Sequence, residues 1–74
     1  MPTTTTIPVT VNGEAHEIPL GLAVPDLLRH LDIDPEQSGI AVAVNGAVVR
    51  RADWPGTPVG EGDELEIITA TQGG

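Results

Sequence analysis

The sequence predicts an α+β fold in which a mixed sheet of about four to five strands packs on one main helix. Two observations predict it: five short segments have strand patterns, and one stretch between the second and third of them has helical periodicity. Because 74 residues allow a single domain, we expect one unit at 1–70, frayed at 1–5, and a flexible tail at 71–74.

The first two segments form a predicted β-hairpin. Apolar and polar residues alternate over 6–11, as in a half-buried strand. Asn12-Gly13 follows at once, and this dipeptide tolerates the positive φ angles of a tight hairpin turn. The returning strand is predicted over 14–20, with His16, Ile18 and Leu20 on one face, and regular pairing is expected to end at Pro19.

An apolar stripe predicts the helix. Its residues recur at the spacing i, i+3, i+4 and i+7 and therefore share one face: Val24, Leu27, Leu28 and Leu31. Pro25 suits the first turn, because its missing N–H needs no partner there. Capping is expected to be poor, since Ala23 stands where Ser or Thr is favoured. Asp34-Pro35 is expected to end the helix.

A second hairpin is predicted after the helix. The apolar run 40–44 has the length of a strand buried on both faces and is short for a helix. Asn45-Gly46 repeats the dipeptide of the first turn, and 47–50 is the predicted partner strand. Two hairpins therefore flank the helix along the chain.

The last strand follows a loop. Proline and glycine residues indicate turns over 51–62, where Trp54 is expected to cover the core. The strand is predicted over 64–70, with its polar side formed by alternate residues that include Glu64 and Glu66. A striped helix that covers one face of such a sheet gives the ubiquitin-like β-grasp architecture.

Composition excludes several functions. The net charge is −8, with eleven acidic residues, three arginines and no lysine, so nucleic acid and anionic membranes should be repelled and basic protein surfaces attracted. There is no cysteine for a disulfide or thiolate, no apolar run of bilayer length and no signal-peptide pattern, so a cytoplasmic location is expected. No catalytic or metal-binding motif is recognisable, and a domain this small has little room for a deep active site.

Six blocks of sequence resemble a known family. They are Val11-Asn12-Gly13, the 24–31 helix, 43–46 with Val49, 51–54, 62–67 and the terminal Gly73-Gly74. In order and spacing, from Val9 to Gly74, they resemble the thiamine-biosynthesis sulfur carriers, the ThiS family. The resemblance implies a β-grasp carrier protein that is not itself an enzyme.

The resemblance also implies a covalent chemistry at the end of the chain. The carboxylate of Gly74 would be adenylated by a ubiquitin-activating-like adenylyltransferase (ThiF-type) that uses ATP. It would then be converted to a thiocarboxylate with sulfur from a donor such as a cysteine desulfurase, and would give that sulfur to a thiazole synthase (ThiG-type). Gly73 and Gln72 would be required for activation. The last two residues have no Cβ and so fit a narrow channel, and the extended tail 71–74 gives the reach to enter it. No cofactor would be bound stably.

An acidic stretch leads to the tail and is the candidate partner-facing surface. Its residues are Glu61, Asp63, Glu64 and Glu66, which we expect to meet basic residues of the activating enzyme. A related carrier for molybdopterin synthesis, or for another sulfur-requiring pathway, is an alternative, although 69–72 lacks the aromatic and proline residues typical of the molybdopterin branch. A ubiquitin-like protein modifier and a non-covalent β-grasp interaction module are two further alternatives.

Overall fold

The computed structural model describes residues 5–70 of the chain. Within that range, five strands, one α-helix and one 3₁₀ helix follow one another. The elements are β1 Thr6–Val11, β2 Glu14–Pro19, α1 Val24–His30, β3 Ile40–Val44, β4 Ala47–Val49, the 3₁₀ helix Arg51–Gly56 and β5 Glu64–Thr69.

The strands form one mixed sheet in the order β2-β1-β5-β3-β4. Both hairpins are antiparallel, and β5 lies between them, parallel to β1 and antiparallel to β3. The parallel pair is short, with Thr10 beside Glu64 and Val11 beside Leu65. This topology, with α1 following the first hairpin, confirms the predicted β-grasp architecture.

The core lies between the inner face of the sheet and the two helices. Its buried residues come from every layer: Ile7, Val9, Val11, Ile18, Val24, Leu27, Leu28, Val42, Trp54, Val59, Leu65 and Ile67. Trp54 is buried as predicted, and its Nε1 donates a hydrogen bond of 3.0 Å to the carbonyl of Val49. The guanidinium of Arg51 stacks on the indole at 4.4 Å from the ring centre. Because the helices pack against the inner face, the outer face of the sheet has no helix over it.

Two elements end before the last predicted residue. β2 ends at Pro19, where regular pairing is expected to stop, so Leu20 lies beyond the strand and is 60% exposed. α1 ends at His30, before Asp34-Pro35, because Asp32 has a left-handed φ of 63° that a helix cannot accommodate. Ala23 gives no side-chain cap, as expected, although its N–H contacts a carboxylate oxygen of Asp26 at 3.4 Å.

The second half of the chain differs from the prediction in three details. β3 is buried on one face only, and its Ala41 is exposed on the other, because no helix covers that side. The predicted loop begins with the 3₁₀ helix. β4 and β5 end at Val49 and Thr69, one residue earlier than expected in each case.

Candidate functional site

The outer face of the sheet is the candidate site, because α1 and the 3₁₀ helix leave it uncovered and β5 leads from it to the end of the chain. β5 contributes Glu64, Glu66 and Ile68 to this face, all exposed. Pairing with β3 places Ala43 beside Glu66 and Ala41 beside Ile68. On its outer face, the strand that precedes the tail therefore has two acidic residues followed by an apolar one.

An apolar patch occupies one half of the outer face. We define it as Ala41, Ala43, Val48 and Ile68. The side chains of Val48 and Ile68 are 77% and 65% exposed, although both are large and aliphatic. These residues line a shallow groove of about 200 Å³. Exposed apolar surface of this kind often marks a protein contact.

Two carboxylates border the apolar patch. Glu64 and Glu66 line a second groove of about 330 Å³, which also reaches Thr10 and the glycines of both hairpin turns. The ion pairs found within residues 5–70 are Arg29 with Asp26 and His16 with Glu14, so neither of these glutamates has a cationic partner there. Both are therefore free to attract a basic group on another protein.

The other two predicted acidic residues have different surroundings. One carboxylate oxygen of Asp63 accepts a 2.7 Å hydrogen bond from the N–H of Gly60, and the other accepts one of 3.1 Å from Nδ2 of Asn45. Asp63 is thus engaged in holding the turn before β5. Glu61 is exposed in that turn. Among the four acidic residues predicted to face a partner, only Glu64 and Glu66 lie on the outer face.

Asparagine side chains of the two hairpin turns hold β5. Oδ1 of Asn12 accepts a 2.9 Å hydrogen bond from the N–H of Ile67, and Nδ2 donates one of 3.0 Å to the Ile67 carbonyl. Asn45 accepts a bond of 2.9 Å from the N–H of Glu64. The side-chain amide of Asn12 therefore continues the backbone hydrogen bonding along β5 after β1 has ended at Val11. The sequence predicts these residues only as turn formers, although the repeated Asn-Gly dipeptide was a visible signal.

The predicted reactive end lies outside the described residues. Gly74, Gly73 and Gln72 follow Ala70, whose N–H donates a 2.8 Å hydrogen bond to the carbonyl of Gly39. Four residues beyond Ala70 reach at most about 13–14 Å. Ala70, the last described residue, is two positions beyond Ile68 of the apolar patch.

Within 5–70, no group of three or more His, Asp or Glu side chains is arranged to hold a metal ion. Over the same range, no helix is long and apolar enough to span a bilayer. The uncovered outer face can present acidic and apolar surface to another protein.

Comparisons with known proteins agree with this arrangement. The model of the ThiS family matches residues 9–74. The "Sulfur carrier protein ThiS" of Escherichia coli (strain K12) is 32% identical over 66 residues, which cover 89% of this chain and 97% of that protein.

Two solved structures of a thiamine biosynthesis protein from Geobacter metallireducens are similar in fold. The crystal structure, described as ThiS, has a TM-score of 0.75 at 30% identity and covers 92% of this chain and 100% of its own. The NMR solution structure has the same TM-score and identity, and the match covers 92% of this chain and 88% of that chain.

Proposed function

The chain belongs to the ThiS family, and from that premise we propose that it is a sulfur carrier of thiamine biosynthesis that works through Gly74. One observation carries the proposal. The family match extends to Gly74 and so includes the residue whose carboxylate would carry the sulfur. The described geometry supports it, since β5 joins an uncovered sheet face to the start of the tail.

The proposed chemistry needs little from the chain itself. The carboxylate of Gly74 attacks the α-phosphate of ATP, pyrophosphate leaves, and an acyl adenylate forms. A sulfide equivalent then attacks the carbonyl carbon, AMP leaves, and a thiocarboxylate remains. The activating enzyme supplies ATP and stabilises the charges. Gly74 has no side chain to crowd the carbonyl, Gly73 has no Cβ to obstruct a narrow channel, and Gln72 adds length with which the end reaches into it.

Three partners follow from this chemistry. An adenylyltransferase of the ThiF type would activate Gly74, a donor such as a cysteine desulfurase would supply sulfur, and a thiazole synthase of the ThiG type would accept it. We place their docking on the outer face. Apolar residues of a partner would cover the apolar patch, while Arg or Lys side chains would meet Glu64 and Glu66.

Charge reversal tests the docking surface. Glu64→Lys with Glu66→Lys should slow adenylation and weaken its dependence on salt, because the attraction that speeds encounter is removed. The matched control is Glu14→Lys with Glu36→Lys, which changes the net charge equally at two exposed positions off the outer face. Equal rates for the two double variants would remove the docking proposal.

Genetic complementation tests the function. The full chain should restore growth without thiamine to a bacterial host that lacks its own sulfur carrier for this pathway. A variant that ends at Gln72 should fail, although its circular dichroism and unfolding transition match those of the full chain. Growth supported by the shortened variant would contradict a function that depends on Gly74.

A further inference from the structure

The chain contains two asparagines, and each stands in the tripeptide Val-Asn-Gly. The two sites, Asn12-Gly13 and Asn45-Gly46, form hairpin turns with almost the same backbone, since φ is 51° and 83° in the first and 52° and 84° in the second. Both asparagine N–H groups donate to a carbonyl of β5. The two sites therefore share their local sequence and backbone, and a difference in reactivity between them must come from their surroundings.

An Asn-Gly pair can lose ammonia without a catalyst. The backbone nitrogen of the glycine gives up its proton and attacks Cγ of the asparagine, the side-chain nitrogen leaves as ammonia, and a five-membered succinimide ring closes. Water then opens the ring to aspartate or, at the other carbonyl, to isoaspartate. Glycine favours the attack because no Cβ shields its nitrogen. Because Cγ must swing towards that nitrogen, contacts that fix the asparagine side chain slow the reaction.

The side chain of Asn12 is fixed by a buried residue. Its oxygen and nitrogen bond to both backbone groups of Ile67, at 2.9 and 3.0 Å, in part-buried surroundings. Ile67 itself is 6% exposed. The turn joins two six-residue strands, of which β1 lies inside the sheet between β2 and β5. Opening of this turn would expose core residues, so it should be rare.

The side chain of Asn45 is held less firmly. It accepts a bond of 2.9 Å from the N–H of Glu64 and donates one of 3.1 Å to a carboxylate oxygen of Asp63, and both bonds are exposed. Its turn leads into β4, a three-residue edge strand none of whose residues is buried. Water competes for such bonds, and a short edge strand opens at low free energy. Cγ of Asn45 should therefore be released far more often than Cγ of Asn12.

We propose that Asn45 is a modification site, where loss of ammonia converts the residue to aspartate or isoaspartate while Asn12 is preserved. The inference goes beyond the proposed function and does not depend on it. Gly46 lines both grooves of the outer face, so the modification falls on that face. An isoaspartate adds one backbone carbon to a two-residue turn and displaces the oxygen that accepts from the N–H of Glu64. The converted chain thus loses one of the bonds that hold β5.

Ageing of the full chain at mildly alkaline pH and body temperature tests the proposal. Cleavage after arginine separates the two sites, since residues 1–29 contain Asn12 and residues 30–50 contain Asn45. The second fragment should gain about 1 mass unit, the difference between an amide and a carboxyl group. It should do so at least tenfold faster than the first fragment, with the gain assigned to Asn45. As the control, chain unfolded in guanidinium chloride should convert both sites at similar rates, because the tripeptides are the same.

Three results would overturn the proposal. They are equal rates at the two sites in the folded chain, faster conversion of Asn12, and a folded chain that keeps both amides while the unfolded chain loses them. Hydrogen exchange tests the consequence for β5. In chain converted to isoaspartate at Asn45, the Glu64 amide should exchange at least tenfold faster than in the parent, while the Ile67 amide keeps the parent's rate. Unchanged exchange at Glu64 would contradict the loss of that bond.

Discussion

The Asn12 amide gives the sharpest prediction about stability. It makes two hydrogen bonds to the backbone of one buried residue, Ile67, at 2.9 and 3.0 Å. Asn12→Gly removes both bonds and preserves the turn, because glycine adopts the φ of 51° found at this position without strain. The variant removes the amide and also gives the unfolded chain the extra backbone freedom of glycine, an effect that Asn45→Gly shares.

The expected loss follows from the two bonds. Each is worth about 0.5–1.5 kcal/mol, so Asn12→Gly should lower the free energy of unfolding by about 1–3 kcal/mol. A domain of this size has a total of roughly 4–11 kcal/mol, so the loss should be easily measured. Asn45→Gly has a nearly equal φ of 52°, but its two side-chain bonds are exposed. Its loss should be about 1 kcal/mol or less.

Urea unfolding followed by Trp54 fluorescence measures both variants. Asn12→Gly should shift the midpoint clearly more than Asn45→Gly, with an unchanged slope. A loss for Asn12→Gly within about 0.5 kcal/mol of the parent, the range of ordinary surface substitutions, would refute the argument that this amide holds β5.

Three further substitutions test other parts of the account. Leu28→Ala should lower the free energy of unfolding, measured in a thermal melt, by about 2–5 kcal/mol, because Leu28 is fully buried. Leu20→Ala should lower it by less than about 0.5 kcal/mol, because Leu20 is 60% exposed, and equal losses would contradict the described core. Trp54→Phe should cost about 1–3 kcal/mol in urea unfolding followed by circular dichroism, because the Val49 carbonyl loses its donor. An unchanged midpoint would contradict that bond. Ile68→Ser should leave the free energy of unfolding within about 0.5 kcal/mol of the parent's, because Ile68 is 65% exposed. It should weaken binding to an activating enzyme about tenfold in calorimetry, and unchanged affinity would exclude the apolar patch from docking.

The sequence predicts the architecture because its signals are local. Each hairpin turn is specified by an Asn-Gly dipeptide whose residues adopt the expected positive φ angles. The helix is specified by apolar residues whose spacing puts them all on one face, and that face is buried. Its end was missed because the break at Asp32 is a single left-handed residue, which carries a weaker signal than Asp34-Pro35.

The candidate site was less predictable because it depends on contacts between distant residues. Asn12 and Ile67 are 55 positions apart, so their bond follows from the register of β1 and β5 and from no local pattern. Ala41 and Ala43 are small apolar residues that suit either side of a sheet, so the sequence does not indicate that they form an exposed apolar patch. The alternation in β5 does place Ile68 with the glutamates on the polar side, and that was the available signal.

Intact mass spectrometry tests the central claim most directly. The chain is incubated with ATP, an adenylyltransferase of the ThiF type and a sulfur donor, with a carrier known to be a substrate of that enzyme as a positive control. The account predicts a gain of about 16 mass units, from sulfur replacing oxygen on an activated acyl group, which fragmentation assigns to Gly74. A chain that stays at its original mass while the control carrier is converted, or a gain assigned to any other residue, would contradict it.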